Sequence, residues 1–210
     1  TASEQANALF DNIFNQEVDR DPTWQTYLGI KKDYDKWHDL SPENEEKELA
    51  FAKSNLALIQ AIEVNTLDTQ SQISHSLYIQ KLENRIEDYQ WRLHNYPVNQ
   101  MFGTHSQIPA FLINQHSISN IKEAEDYITR VNGAQKLLEQ LVEQLKLREI
   151  EGIIAPKFVF PHVIRDSKNI LVGAPFDDSP NSTIFADFTR KVDKLSITDA
   201  EKSVLITDVK

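Results

Sequence analysis

The chain has 210 residues, no cysteine, and 22 basic against 32 acidic side chains, a formal net charge of −10. That length buries a real core. The charge argues against a surface for nucleic acid or an anionic membrane, which needs a basic face, and the missing thiols exclude disulfides and thiolate metal sites.

No apolar run reaches the roughly 20 residues of a membrane span. Only five glycines among long amphipathic stretches point to an all-α protein, a multi-helix array of long antiparallel helices in a single domain over 1–210. The chain opens on Thr1-Ala2-Ser3, without methionine, which reads as a trimmed start with any targeting segment gone. Ala6, Leu9, Phe10, Ile13, Phe14 and Val18 then fall at helical spacing, and Asp21-Pro22 stops them. A short segment from Pro22 ends at Gly29, and Tyr34 to Leu40 reads as an irregular connection with aromatic anchors.

Ser41-Pro42-Glu43 is a helix start: a hydroxyl cap, proline in the first turn, then an acid at the positive end of the dipole. That helix is expected to run to about Glu63. Thr66 or Asp68 caps the next, with an apolar stripe through Ile73, Leu77, Tyr78, Leu82, Ile86, Tyr89 and Leu93 and an end at Pro97.

The run from Asn95 to Ile121 contains no Asp, Glu, Lys or Arg. At the chain's average of 26% charged residues, it would carry about seven. Amides, hydroxyls, two histidines and apolar residues take their place. A solvated loop is richer in charge, and a plain core strand would leave buried amides and imidazoles without partners. The sequence predicts a semi-buried, uncharged connector near 95–120, with Ser106 to Gln115 as a short helix and Pro109 in its first turn.

Ser119 is expected to cap a long helix from Asn120 to about Ile150, striped by Ile121, Ala124, Ile128, Val131, Leu138, Leu141, Val142 and Leu145. Gly133 inside it costs about 1 kcal/mol against alanine, so it marks a kink or a close neighbour. Gly152 ends that helix. Pro156 to Ile164 is a short helix or an extended piece, Ser182 caps a helix to about Leu195, and Thr198 starts another. No stop signal follows before Lys210, which reads as a chain that continues.

Motifs for chemistry are sparse. There is no His-Glu-x-x-His, no nucleophile elbow, no phosphate-binding glycine loop and no dinucleotide fingerprint. His105 and His116 are eleven positions apart across a proline, which suits two satisfied structural histidines better than a shared metal. The acids Glu43, Glu45, Glu46 and Glu48 read as a solvated face. Asp126 and Arg130, four apart, read as an ordinary helix pair, with a substrate clamp as the less favoured role of Arg130. Trp24, Trp37 and Trp91 read as packing anchors.

Three groups of residues carry a resemblance. They are Tyr34-Asp35-x-Trp37-x-Asp39-x-Ser41-Pro42-Glu43; Tyr96-Pro97-Val98-Asn99-Gln100 with Gly103, His105, Pro109-x-Phe111-Leu112, His116, Glu123-Ala124, Tyr127-Ile128 and Arg130; and Gly152-Ile153-x-x-Pro156-x-Phe158-Val159. In this order they resemble, over about residues 22 to 210, the bacterial family catalogued as domain of unknown function 885. The resemblance implies an exported protein of periplasm or cell envelope, a lipoprotein in many members with its lipid anchor upstream of Thr1. It also implies a longer polypeptide grouped with gluzincin-type zinc metallopeptidases, whose metal segment lies in a C-terminal half beyond this sequence. The chain would then be the N-terminal helical wall or lid. It would hold no catalytic residue, metal ligand or cofactor of its own, with zinc and a peptide substrate belonging to the full-length protein. Asn99, Gln100, His105, His116 and Arg130 would be its substrate-cleft candidates. The alternative is a non-catalytic binding or scaffolding module of the envelope. A helical layer parted from its partner would also expose apolar faces, which opens a route to self-association.

Overall fold

A computed structural model describes residues 1–210, and every regular element in it is helical. Nine α-helices follow one another: α1 Ala2–Asp19, α2 Pro22–Tyr27, α3 Pro42–Gln60, α4 Thr69–Asp88, α5 Thr104–Asn114, α6 Ile121–Ile150, α7 Val159–Asn169, α8 Thr183–Asp193 and α9 Asp199–Asp208. The all-α expectation holds. The packing divides them into two compact units, one of residues 1–21 with 39–95, the other of 22–38 with 96–210.

The first unit holds α1, α3 and α4. Its core is Ala6, Phe10, Ile13, Ala52, Ile59, Leu67 and Leu82. Ser41 and Asp68 cap α3 and α4 by accepting from Asn44 and Ser71 backbone N–H groups, as side-chain oxygens at helix starts do. Two features depart from the sequence reading. Helix α3 stops at Gln60, and a 3-10 turn over Val64–Thr66 brings Leu67 into the core. On α4 the buried face is Ser71, His75 and Leu82, while Ile73 and Leu77 are exposed. Polar partners explain the rotation. Asn7 on α1 donates to Ser71 Oγ at 3.1 Å, and His75 Nε2 lies 3.0 Å from the Ile59 carbonyl in the last turn of α3, where carbonyls lack intrahelical donors. Glu48, read as part of a solvated face, instead pairs with Arg20 at 2.6 Å and Arg85 at 2.8 Å, while the buried Glu17 takes Lys81 at 2.8 Å.

The second unit is built on α6. Helices α5 and α9 pack on α6, and α8 packs on both α5 and α9, while α7 leans on α5. Asn120, rather than Ser119, caps α6 by accepting from Glu123 N–H at 2.9 Å. Ser119 serves the same turn by donating its N–H and hydroxyl to the Glu123 carboxylate. The inward face of α6 is Ala124, Asp126, Tyr127, Arg130, Leu137, Leu141, Gln144 and Arg148, and Leu138 and Val142 point out. Long polar side chains take the inner positions because their partners lie inside. Gly133 causes no break. A Cβ there would stand 3.2 Å from the Trp37 indole, so the close-neighbour reading is the one the packing fits. Pro156 to Ile164 resolves into α7, of which only Val159 is buried.

Candidate functional site

The uncharged connector has two parts. Its first part folds back on itself: Val98 pairs with Gly103 in an antiparallel bridge, Asn99 N–H donates to Phe102 O at 2.9 Å, and Thr104 N–H reaches Pro97 O at 3.4 Å. The Asn99 side-chain oxygen accepts from the N–H groups of Met101 and Phe102 at 2.8 and 3.0 Å, an Asx turn that locks the tip. Gly103 sits at φ +148°, and a Cβ there would lie 2.7 Å from both Pro97 O and Val98 Cα. Only glycine fits that approach without strain. Gln100 is exposed at the tip, Asn99 is half-buried, and Met101 and Phe102 project outward.

This folded turn starts α5 two residues earlier than the sequence reading placed it. Gly103 O accepts from Ser106 and Gln107, so Pro109 lies in the body of the helix and one rung, to the His105 carbonyl, is missing. His105 is buried, with its Nδ1 lacking a hydrogen-bond partner. Burial lowers its pKa, and Asp166 pulls the other way.

The second part is fastened from outside. His116 and Arg130 are both 0% exposed. Arg130 donates Nε to Lys36 O at 3.0 Å, Nη2 to Thr26 Oγ1 at 2.7 Å and, more weakly, to Pro22 O at 3.4 Å, and Nη1 to His116 Nδ1 at 3.1 Å. Its guanidinium lies over the rings of Phe111 and Tyr34, 4.9 and 5.0 Å from their centroids. Every hydrogen-bond partner is neutral. Asp126, read as its helix partner, pairs with Lys122 instead. Burial lowers the Arg130 pKa to about 10, so it keeps its charge at neutral pH, spread over carbonyl dipoles and ring faces.

The tautomer of His116 follows from its neighbours. Arginine can only donate, so Nδ1 accepts; Nε2 then carries the proton and donates to Glu123 O at 3.0 Å. Burial, aided by Arg130 and Lys191, pushes the His116 pKa down to about 3. Lys191 on α8 completes the fastening. Its ammonium donates to Leu112 O, Ile113 O and His116 O at 2.8, 3.0 and 2.9 Å, covering carbonyls at the negative end of α5.

Of the five residues singled out from the sequence, His116 and Arg130 meet directly. Asn99 and Gln100 share the turn, and His105 lies apart on α5. Sequence reasoning missed Lys191, Thr26 and the Lys36 carbonyl; Trp37, read as a packing anchor, donates its indole N–H to Arg130 O at 2.7 Å. One signal for Lys191 was available: a run without charge has no cation of its own, so any cation covering the carbonyls at its helix end comes from elsewhere in the chain. No three His, Asp or Glu side chains gather closely enough to hold a metal ion.

The family described as "Bacterial protein of unknown function (DUF885)" matches residues 22–210. Among solved structures, one described as "the putative lipoprotein from Colwellia psychrerythraea" superimposes with a TM-score of 0.79 at 21% sequence identity. The match covers 100% of this chain and 38% of that one, so the present chain spans well under half of its structural neighbour. No curated protein matches.

Proposed function

This chain belongs to the bacterial DUF885 family, and from that premise we propose that it is the N-terminal helical wall of a larger exported zinc metallopeptidase, lining the space where a peptide is held. The observation that carries the reading is the connector. It is a charge-free segment whose folded tip offers an exposed carboxamide, Gln100, while two cations, the buried Arg130 and the half-buried Lys191, hold its far end. A surface that grips peptide main chain wants amide donors and acceptors at fixed positions rather than mobile charges, because a fixed polar group loses less freedom on binding.

The roles divide by accessibility. Gln100 contacts the peptide, Asn99 shapes the turn and offers its remaining amide, and the buried His105, whose Nδ1 has no hydrogen-bond partner, acts from behind the first turn of α5 rather than by contact. His116 and Arg130 act at one remove by holding the connector in place. The zinc ligands and the general base belong to polypeptide outside these residues, where the metal supplies an activated water. No step of hydrolysis falls to this chain. An envelope location, periplasmic or lipid-anchored, is supported by the description of the neighbour as a lipoprotein.

The test is the full-length protein, assayed for bound zinc by elemental analysis and for hydrolysis of a peptide library. Stoichiometric zinc with turnover supports the enzyme. A zinc-free, inactive protein that still binds peptides or envelope components would replace it with the non-catalytic module.

A further inference from the structure

The chain has 22 exposed large apolar residues, and eight of them fall between Ile150 and Phe176, each 45% to 79% exposed. Summed over the segment they expose on the order of 800 Å², an area comparable to one side of a standard protein interface. Helix α7 lies in the middle. Phe160 and Ile164 share one face of it at i, i+4, and Leu171 and Val172 continue just beyond its end. The helix buries one residue, Val159, and its main packing is against α5. From Ile153 to Ile164 the only formally charged residue is Lys157, and the next two charges, Arg165 and Asp166, pair with each other at 2.8 Å.

We infer that the outer face of α7 and its flanks is a docking surface for a further part of the same polypeptide, the layer that in the structural neighbour accounts for the length this chain does not cover. The inference rests on the wall reading above for the existence of that layer, but not on its being an enzyme. Three observations choose this occupant. The whole of this chain superimposes on 38% of the neighbour, so in that protein a fold of this kind belongs to a longer chain. A helix that buries a single side chain leaves an apolar stripe that a second layer covers. An anionic membrane is disfavoured by the net charge of −10 and by the lack of a basic cluster around the stripe.

The chain's lack of cysteine allows a direct test in the full-length protein, any cysteines elsewhere in it being first replaced. Single cysteines are placed by Phe160→Cys and Ile164→Cys, with Lys136→Cys on exposed α6 surface as the reference. The two α7 thiols should react with a maleimide about tenfold more slowly than the reference, as groups protected by folded structure do. A photo-crosslinking amino acid at position 164 should join, within one molecule, to residues of the full-length protein outside 1–210. Labelling as fast as the reference, or crosslinks only to residues 1–210 or to a second molecule, overturns the inference. Zinc content and peptide turnover of the same preparation separate the two claims. Intramolecular crosslinks in a zinc-free protein keep the docking surface and remove the peptidase, whereas an active enzyme with freely labelled α7 thiols does the reverse.

Discussion

Nη1 of Arg130 donates to Nδ1 of His116 at 3.1 Å, and this bond joins the longest helix to the end of the charge-free run. The same guanidinium reaches Thr26 and the Lys36 carbonyl, so one side chain ties α2, the aromatic loop and the connector to α6. Arg130→Ala would leave a cavity and strand Thr26, His116 and a main-chain carbonyl without a donor. The expected loss is about 3–5 kcal/mol of unfolding free energy. Arg130→Lys keeps the charge but not the fork, and should recover less than half of it. Urea unfolding followed by circular dichroism measures both, and a loss below about 1 kcal/mol for the alanine variant would remove Arg130 as the tie.

Neutral His116 makes stability depend on acidity. Above the ordinary histidine pKa of 6.5 both folded and unfolded chains hold the imidazole neutral, and the residue contributes no slope. Below it the unfolded chain takes up a proton, while the folded chain refuses it down to about 3. Stability therefore falls as pH drops through that window, by up to about 1.4 kcal/mol per pH unit from this residue. His116→Gln retains an amide that can donate and accept but cannot titrate. Its unfolding free energy, followed from about pH 7.5 to about pH 4.5, should decline less steeply than that of the unaltered protein. Parallel curves would show that the imidazole takes up its proton in the folded state.

Class and element order were legible in the sequence, because caps such as Ser41-Pro42 and Asp68 and the 3.6-residue spacing act locally. The faces of α4 and α6 were not. Counting apolar residues placed Ile73, Leu77, Leu138 and Val142 inside, whereas hydrogen bonds made by Ser71, His75 and Arg130 turn these helices to bury polar groups. Such bonds join residues far apart in the chain, and periodicity carries no record of them. The candidate site was legible as a composition, a run without charge, but not as an arrangement. Asp126 in sequence proximity to Arg130 gave the wrong partner, since Lys122 claims it.

The close approach at Gly103 makes a sharp prediction. Gly103→Ala puts a methyl 2.7 Å from Pro97 O and Val98 Cα at a backbone angle of +148°. The fold-back must open, and the cost should be about 1–3 kcal/mol. Amide exchange at Asn99 and Thr104, whose N–H groups bond across the turn, should accelerate while exchange in α6 stays unchanged. Unchanged protection at both sites would mean that the turn does not need glycine.

Lys191 should matter more than an exposed lysine does. It donates to three carbonyls at the end of α5 and also pairs with the buried Asp187. Lys191→Met keeps most of the volume and removes the three hydrogen bonds and the ion pair, leaving a buried carboxylate with less compensation. A loss of about 2–4 kcal/mol is expected. The double variant Lys191→Met with Asp187→Asn should recover part of it, because the stranded charge is gone. A double variant no more stable than the single one would assign the loss to the carbonyls alone.

Gln100→Ala is the cleanest probe of the proposed wall, because the side chain is exposed and none of the turn's hydrogen bonds runs through it. In the full-length protein it should leave helicity and unfolding midpoint unchanged and lower kcat/KM on peptides by roughly three- to tenfold, mostly through KM, as loss of a binding contact does. His105→Ala should also lower kcat/KM, but with a cost in stability of about 1–2 kcal/mol, since its ring is buried against α5's neighbours. The two outcomes together separate a peptide-facing role from a packing one. If Gln100→Ala turns over every peptide as the parent does and His105→Ala merely unfolds sooner, the connector is a structural splint and the peptide is held elsewhere.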